Sequence, residues 1–475
     1  MSLRPVIIGG GPAGMAAAIE LAQQGVESIL IDEASRLGGV VFRGPARQGV
    51  NLHYLGKRYQ REMLALHDAF NAVQDRVDVR LNTRIMGGED HHSLYVLDSE
   101  EKIETLPFSH LLLAAGCHER SVPFPGWTLP GVKLLGGLQL QIKNDVALPY
   151  GRTVLAGTGP LLPLIACQLH RAGAEVVGIY EASAFSNIAR EAQALLNQPL
   201  LFLEGLSMLA YLKLHGIAQH YGWGVVAANG QEALSQVVVA PYDINWSADL
   251  SQQRILDAET LAVGYGFLPR TQLSQQMGLA HHYHEDGFLR PQINEWQQSS
   301  QPHIHLAGDI GGLRGGDAAM IDGQIAALSI LNLRGDLHAD EAKQRHQQCL
   351  KRRRAISRFR AGIDHYTRRG SGQLSLPNQD TVICRCEQVT RETIDTALDQ
   401  QVEDMGSLKI RTRISMGDCQ GKLCVGYCSD RLRAHTGRSD VGWLRPRFPI
   451  DPLPFSAFMT EEQDQQAATG DKSNE

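Results

Sequence analysis

The 475-residue sequence has few cysteines, no excess of positive charge and no long apolar runs. Eight cysteines in a chain of this length are too few for a disulfide scaffold. The formal net charge of -6 provides no basic surface for phosphates, so nucleic acid is not an expected partner. No uninterrupted apolar run reaches the ~20 residues that a membrane helix needs. We therefore expect a cytoplasmic protein without an integral membrane segment.

The length alone predicts about three domains. Glycine is in surplus at 48 residues, and these glycines follow no Gly-X-Y period, so turns that need backbone freedom are expected. The cysteines are unevenly spread, because five of the eight lie in the last fifth of the chain. Such clustering predicts a metal site near the C-terminus.

The first forty residues show the pattern strand, glycine turn, helix, strand. In the turn, Gly9 permits the tight bend, Gly11 lets the backbone approach a pyrophosphate, and Gly14 lets helix and strand pack closely. Glu33 ends the second strand, where an acid accepts hydrogen bonds from a ribose. The pattern predicts a dinucleotide-binding unit, with these cofactor-binding residues: Gly9, Gly11, Pro12, Ala13, Gly14 and Glu33.

The same pattern returns 148 residues later, with Gly157, Gly159 and Glu181 in matching positions. One position differs, because Leu162 takes the place of Gly14 and its side chain should push helix and strand apart. Two interpretations stay open: the second unit binds a nicotinamide nucleotide, or it is a scaffold. If it binds one, NAD is favoured over NADP, since Glu181 would repel a 2'-phosphate.

Two further segments complete a known order of motifs. The apolar run Leu111 to Ala115 ends at Gly116, and the strand around Ile304 to Leu306 is followed by Gly308 and Asp309. This order resembles the flavoproteins of the glutathione reductase and thioredoxin reductase class. The resemblance implies an α/β fold with two Rossmann-like dinucleotide-binding domains, and FAD held by the first unit together with Gly116, Gly308 and Asp309. The FAD domain would be discontinuous, with residues 1–145 and 285–335 enclosing an NAD(P)-binding-like domain at 146–284.

The disulfide chemistry of that class does not carry over, because residues 36–50 contain no cysteine pair. The cysteines cluster instead as CxC and, 32 residues later, CxxxxC. Four soft thiolates suit zinc or an iron–sulfur cluster, and these gaps are unusual for zinc. Residues 379–435 resemble the bacterioferritin-associated-ferredoxin-like [2Fe-2S] domain, a small α-helical domain. That resemblance implies the ligands Cys384, Cys386, Cys419 and Cys424 and leaves Cys428 outside the pattern.

Two segments flank this domain. The run of Lys and Arg in residues 336–378 predicts a basic helical linker. Its basic residues form either a solvated helix face or a docking surface for an acidic partner or a cofactor phosphate. Residues 436–475 predict a proline-rich extended segment followed by a disordered tail.

Taken together, the segments Pro123 to Val132 and Thr260 to Leu273, the cysteine motif and the proline-rich end resemble one family over nearly the whole chain. It is the family of α subunits of opine oxidase, hydrogen cyanide synthase and proline or D-hydroxyproline dehydrogenase. The resemblance implies an electron-transfer subunit with FAD and [2Fe-2S], and in some members an FMN at a subunit interface. A β subunit of the D-amino-acid-oxidase type would oxidise the substrate, in some members beside a small ferredoxin-like subunit.

The electrons would then pass to a quinone, a cytochrome or another acceptor, and an acceptor in the inner membrane would place the complex at its surface. The motifs show no constellation of nucleophile, acid and base, so no catalytic residue is predicted. Two alternatives remain. The chain is a self-sufficient NADH-dependent flavin reductase that exports electrons through its cluster, or an inert flavoprotein with an iron-binding regulatory domain.

Overall fold

A computed structural model describes residues 3–45, 49–50, 52–89, 91–284 and 287–458. The strands are β1 (Val6–Ile8), β2 (Ser28–Ile31), β3 (Val77–Arg80), β4 (Arg84–Gly88), β5 (Ser93–Leu97), β6 (Ile103–Pro107), β7 (Leu111–Leu113), β8 (Cys117–Glu119), β9 (Val132–Leu134), β10 (Thr153–Gly157), β11 (Val176–Glu181), β12 (Ala218–Tyr221), β13 (Trp223–Asn229), β14 (Gln236–Pro241), β15 (Arg254–Asp257), β16 (Thr260–Gly264), β17 (Phe267–Pro269), β18 (His281–His284), β19 (Phe288–Pro291), β20 (Ile304–Leu306), β21 (Val382–Cys384) and β22 (Val389–Thr390).

The α-helices are α1 (Pro12–Gln23), α2 (Gly39–Phe42), α3 (Lys57–Asn71), α4 (Leu135–Leu140), α5 (Leu161–Ala172), α6 (Phe185–Arg190), α7 (Ala192–Leu195), α8 (Pro199–Leu214), α9 (Gln272–Gln276), α10 (Gly316–Arg334), α11 (Ala339–Tyr366), α12 (Arg391–Asp399), α13 (Met405–Thr412) and α14 (Val425–Thr436). A π-helical turn, Gln141–Asp145, continues α4. Among the described residues, no helix is both long enough and apolar enough to cross a membrane.

The first unit is built on a parallel sheet in the order β20, β7, β1, β2, β3. Its central strands are short, wholly apolar and buried, as expected for parallel strands covered on both faces. Helices α1 and α10 lie very close together, because a Cβ at Gly323 would come within 2.1 Å of the carbonyl oxygen of Ala13. Strand β20 comes from far along the chain, so the first unit is assembled from two separate stretches of sequence.

The second unit has a parallel sheet in the order β12, β11, β10, β16, β9. Strand β9 precedes the second glycine turn in sequence, yet it pairs with β16 of this sheet. Antiparallel three-stranded sheets accompany the two units, β4-β5-β6 in the first half and β13-β14-β15 in the second. The antiparallel pair β8 and β17 forms where the chain passes between the units.

The predicted basic linker contains α11, a helix of 28 residues. Several of its cations form ion pairs within the chain, including Arg345 with Glu20 and Arg360 with Asp364. Beyond it, α12, α13 and α14 surround the C-terminal apolar cluster that includes Cys384 and Cys424. The proline-rich segment lies on the first unit, where Ile450 N donates to the carbonyl oxygen of Met86 at 2.8 Å, and it ends in a short 3-10 helix, Phe455–Phe458. The predicted disordered tail falls mostly on residues 459–475, outside the described residues.

A buried carboxylate connects α10 and α11. Asp322 has no exposed side-chain surface, and its oxygens accept hydrogen bonds from Arg353 at 2.9 Å and from Arg314 at 3.1 Å. Arg314 lies in the loop after β20, whereas Arg353 lies in the middle of α11. A buried charge is tolerated only when it is paired, so the two guanidinium groups and the carboxylate depend on each other.

Replacing Asp322 with Asn should lower the free energy of unfolding by about 3 kcal/mol, because two largely buried arginines lose their counterion. Chemical denaturation and Tm measurements would show the loss. Asp336→Asn is the matched control, since it breaks a more exposed pair with Arg334 and should cost under ~1 kcal/mol. Equal stability of the Asp322 variant and the wild type would contradict the role given to this carboxylate.

Candidate functional site

The first glycine turn is shaped so that only glycine fits. Gly9 has φ +104°, and a Cβ there would lie 2.3 Å from the carbonyl oxygen of Ala114. A Cβ at Gly14 would lie 1.9 Å from the carbonyl oxygen of Gly9. Helix α1 begins after Gly11 with Pro12 in its first turn and without a side-chain cap, so free amides face outward there. A free helix N-terminus beside a glycine cradle fits a dinucleotide pyrophosphate.

The acids at the end of β2 have different surroundings. Glu33 is about half exposed and accepts a hydrogen bond from Arg270 at 2.8 Å. Asp32 instead faces the glycine turn, where it accepts hydrogen bonds from Gly10 N at 2.6 Å and Ala34 N at 2.7 Å. Burial raises the pKa of Asp32, although the two amides oppose this shift. Sequence analysis missed Asp32, which directly follows the last apolar residue of β2 and could have been found from that position.

The remaining predicted cofactor residues lie at the same edge of the first sheet. Asp309 Oδ1 accepts hydrogen bonds from the amides of Arg314 at 2.8 Å and Gly315 at 3.1 Å. Gly308 packs on α1, since a Cβ there would contact that of Ala13 at 3.1 Å. The structure therefore brings the first glycine turn and the Gly-Asp pair together around the start of α1. Gly116 has φ +70° and no atom within 4 Å of a Cβ placed on it.

The second glycine turn has the same close backbone approach as the first, and the acid beside it is buried. A Cβ at Gly157 would lie 2.0 Å from the carbonyl oxygen of Gly264. Glu181 is buried and accepts hydrogen bonds from Gly159 N at 2.8 Å and Ser183 N at 2.9 Å. Burial raises the pKa of this carboxyl to about 7, and the bonds from Ser183, Thr158 and Gly159 only partly oppose the shift. Asp32 makes the equivalent contacts in the first unit. In its hydrogen bonding, Glu181 therefore corresponds to Asp32 and not to Glu33.

Leu162 of α5 is fully buried in the core of the second unit, in one apolar cluster with residues of β10, β11 and β16. The second unit therefore accommodates the side chain that the sequence predicts to separate helix from strand.

The crevice above the second sheet is filled by the chain itself. Open α/β sheets bind ligands outside the carboxyl ends of their strands. Here Ser183 Oγ donates a hydrogen bond to the carbonyl oxygen of Tyr366, and a Cβ at Gly159 would lie 3.3 Å from Thr367 Cγ2. Farther along, Gly372 N donates to the carbonyl oxygen of Asn245 at 2.8 Å. We call residues 366–373 the covering segment; it lies over the turn where a nucleotide phosphate would bind.

The four predicted cluster cysteines lie together in the C-terminal domain. Cys384 and Cys424 are buried, Cys419 is partly exposed and Cys386 is exposed. The thiols form two contact pairs, Cys384 with Cys424 and Cys386 with Cys419. The hydrogen bond from Cys424 lowers the pKa of Cys384 to about 6, supported by the amides of Glu387, Ser415 and Cys386. Amides that point at sulfur are typical of iron–sulfur ligands, which bind as thiolates.

In the part of the chain that the structure describes, no three Cys, His, Asp or Glu side chains are placed to hold a single metal ion. Four thiolates are a donor set found in both zinc sites and iron–sulfur clusters. Cys428 is fully buried, and burial raises the pKa of its thiol well above the ordinary value.

The cysteine loop docks onto the chain between the two units. Ser121 Oγ donates a hydrogen bond to the carbonyl oxygen of Leu423 at 2.8 Å, within the CxxxxC loop. Trp127 Nε1 donates to the carbonyl oxygen of Val382 at 2.6 Å, just before the CxC pair. Strand β8, just before Ser121, carries Cys117, whose Sγ donates to Asp309 Oδ2 at 3.6 Å. The predicted flavin and cluster residues are therefore linked through one short stretch of chain.

Comparisons with known proteins agree with this architecture. The family model described as pyridine nucleotide-disulphide oxidoreductase matches residues 3–323. The chain is 64% identical over 464 residues to the HcnB subunit of hydrogen cyanide synthase from Pseudomonas protegens, covering 98% of this chain and 99% of the relative. It is 30% identical over 471 residues to an opine oxidase subunit of Agrobacterium tumefaciens, covering 94% and 90%.

Among solved structures, L-proline dehydrogenase from P. horikoshii superposes with a TM-score of 0.69 at 18% identity, covering 96% of this chain and 79% of that one. Thioredoxin reductase of T. acidophilum superposes with a TM-score of 0.51 at 16% identity, covering 70% and 98%. At these identities the likeness concerns the fold alone. The predicted α/β fold with two Rossmann-like units is confirmed.

The buried Glu181 predicts a pH-dependent stability. Its folded pKa of about 7 lies above the ordinary value of 4.5, so between these pH values the native state holds a proton that the unfolded state has lost. This contribution makes the wild type less stable as pH rises from about 5 to 7, and it levels off above that. Glu181→Gln cannot ionise and should lose the dependence, a difference of up to ~3 kcal/mol.

Tm measured at pH 5 and pH 8 would test this expectation. Glu175→Gln serves as control, because Glu175 is an exposed acid in a surface pair with Arg152. Identical pH profiles for the wild type and the Glu181 variant would show that Glu181 is ionised in the native state throughout.

Proposed function

Because the chain belongs to the pyridine nucleotide-disulphide oxidoreductase family, and within it to the opine oxidase and hydrogen cyanide synthase subunits, we propose an electron-transfer role. In this proposal the chain is the FAD- and [2Fe-2S]-containing α subunit of a heteromeric amino-acid dehydrogenase or oxidase. The observation that carries this proposal is the docking of the cysteine loop beside β8, whose Cys117 contacts Asp309.

The family implies FAD, and the first unit fits it. Gly9 and Gly14 allow the turn and α1 to pack closely, Gly11 would let the backbone approach the pyrophosphate, and the N-terminus of α1 offers free amides. In this proposal Asp32 and Glu33 would lie at the ribose and Asp309 at the flavin side of the cofactor. A bound flavin supplies the exchange between two-electron and one-electron transfer.

The residues of this chain perform the positioning. Cys384, Cys386, Cys419 and Cys424 would hold the cluster, and the amides around Cys384 would stabilise its thiolate. Ser121 and Trp127 fix the cysteine domain against the segment between the two units. Burial of Cys384 and Cys424 keeps water from that side of the cluster, while the exposed Cys386 leaves an exit for electrons.

The relatives named as subunits indicate that this chain works in a complex. The proposed partner is a D-amino-acid-oxidase-type flavoprotein β subunit, with a small ferredoxin-like subunit and an interface FMN as further components. The 64% identity to a hydrogen cyanide synthase subunit favours cyanide as the product. An aminomethyl carbon that becomes the carbon of hydrogen cyanide loses four electrons, and a carboxylate attached to it leaves as carbon dioxide.

Glycine is the smallest α-amino acid with this chemistry, and it would yield hydrogen cyanide, carbon dioxide, four protons and four electrons. The α subunit would relay these electrons to a quinone, a cytochrome or another acceptor. We place the complex in the cytoplasm, at the inner membrane if its acceptor resides there. The predicted domain order, a split FAD domain around the second unit and a cluster domain at 379–435, forms part of this proposal. The limit predicted at residues 145/146 is placed earlier, because β9 (Val132–Leu134) belongs to the second sheet.

The cluster can be tested with a single ligand substitution. Purified holoprotein should show broad iron–sulfur absorption beside the flavin bands. In the reconstituted complex, Cys384→Ser should reduce electron flow from glycine to a cytochrome at least 100-fold while the flavin stays bound. Cys349→Ala, a buried thiol of α11, is the control and should keep the wild-type rate.

Zinc in place of iron would contradict the cluster assignment. Unchanged electron flow in Cys384→Ser would favour the interpretation of the C-terminal domain as a regulatory module.

The covering segment argues against the alternative of an NADH-dependent reductase. Tyr366 and Thr367 lie where the phosphates of NADH would bind, and Glu181 is already bonded to the turn. We therefore expect that NADH leaves the flavin of the isolated chain oxidised, while dithionite bleaches it. Anaerobic stopped-flow absorption at the flavin band measures both. Rapid bleaching by NADH would overturn the relay as the primary function.

A further inference from the structure

A fully buried lysine lies beside the loop of residues 38–42, which is next to the predicted FAD site. Lys143 is 1% exposed and belongs to the π-helical turn that joins α4 to the second unit. Its Nζ donates hydrogen bonds to the carbonyl oxygens of Val40 and Val41, both at 2.8 Å. The same Nζ lies 5.1 Å from the ring centre of Tyr59. The side chain therefore reaches from an element packed on the second unit into a loop of the first.

This ammonium has no counterion among the described residues, because its polar contacts are the two carbonyls and an aromatic ring. Its surroundings contain the cations Arg43 and Arg36, near which lie the carboxylates of Asp32 and Asp145. Burial and the nearby charge of Arg43 lower the pKa of Lys143 to about 7. Burial and Arg43 also lower the pKa of Arg36, which only the exposed Asp145 opposes. Lys143 is therefore a buried charge without an anionic partner among the described residues, which is costly, so a bound anion would stabilise it.

Two of these cations also carry unused donors. Among the described residues, Arg36 Nε and Arg43 Nε are buried atoms without a hydrogen-bond partner, although Arg36 Nη1 donates to the carbonyl oxygen of Gly44. Buried polar groups in native proteins are almost always satisfied, so an orphaned donor marks a place where something binds. The donors and the charges thus indicate the same missing group, an anion.

The loop itself lies against the predicted FAD site. Gly38 N donates to the carbonyl oxygen of Gly10 at 2.7 Å, and a Cβ at Gly39 would lie 2.9 Å from Gly11 Cα. On the other side, a Cβ at Gly316, the first residue of α10, would lie 3.2 Å from Val41 Cγ1. Residues 38–42 therefore fill the space between the pyrophosphate turn and the helix that follows Asp309.

We propose that Lys143, together with Arg36 and Arg43, supplies the positive charge that balances bound FAD and favours its reduced form. Lys143 is a positioning residue, because it acts through the carbonyls of Val40 and Val41. When two-electron reduction of a flavin is followed by loss of its N1 proton, the ring carries a negative charge, so a fixed cation at the FAD site would favour the reduced cofactor. This inference requires FAD in the first unit but not the cluster relay or the β subunit.

The alternative role is a neutral tether, in which Lys143 only holds the loop through hydrogen bonds. Two substitutions separate the roles: Lys143→Gln keeps a donor without charge, and Lys143→Met removes both. Lys133→Met is the matched control, because Lys133 lies on neighbouring β9 and donates to Gln141 at 2.5 Å.

The isolated full-length chain would be tested by FAD titration of the apoprotein and by the midpoint potential of the bound flavin. We expect Lys143→Gln and Lys143→Met to bind oxidised FAD at least tenfold more weakly, and reduced FAD a further tenfold more weakly. The latter corresponds to a midpoint potential lowered by about 30 mV. Lys133→Met should match the wild type.

A wild-type potential in Lys143→Gln would overturn the proposal and leave the tether. If Lys143→Met does not fold, Arg43→Gln tests the same charge from the loop and should also lower the potential. Loss of the cluster in a Cys384→Ser background would leave both measurements unchanged, so failure of the relay is distinguishable from failure of this inference.

Discussion

Much of this structure depends on one buried charge, the carboxylate of Asp322. It binds Arg314, whose own amide donates to Asp309, and Arg353 in the middle of α11. The long helix is thereby fixed to the first unit, and its C-terminal end directs the covering segment over the second. Arg369, two residues after Thr367, then pairs with Asp430 of α14 at 2.9 Å. One ionic centre therefore helps to set the positions of three parts of the chain.

The sequence predicted the fold because its strongest signals are local. A glycine turn between an apolar strand and a helix is typical of a Rossmann unit, and two copies followed by a Gly-Asp strand indicate the order of the units. The cysteine motif is equally local. The choice between Asp32 and Glu33 was harder, because it depends on which carboxylate the end of β2 turns toward Gly10, and residue type alone leaves both open.

Contacts between segments that are distant in the chain could not be predicted from the sequence. Nothing in residues 366–373 marks them as the occupant of a crevice formed about 200 residues earlier. The pairing of β9 with the second sheet and the burial of Lys143 likewise arise from packing between distant segments. Leu162 shows the opposite case, since a departure from a motif is absorbed by the core around it.

The covering segment also bears on how such a protein fits into metabolism. If the proposed function holds, a flavin whose neighbouring nucleotide crevice is closed by its own chain would be insulated from the cell's pool of reduced nicotinamide. Electrons would then enter through a docked partner, so the rate of electron transfer would be set by formation of the complex and by substrate supply. A cell could keep such a chain in excess without draining reducing power.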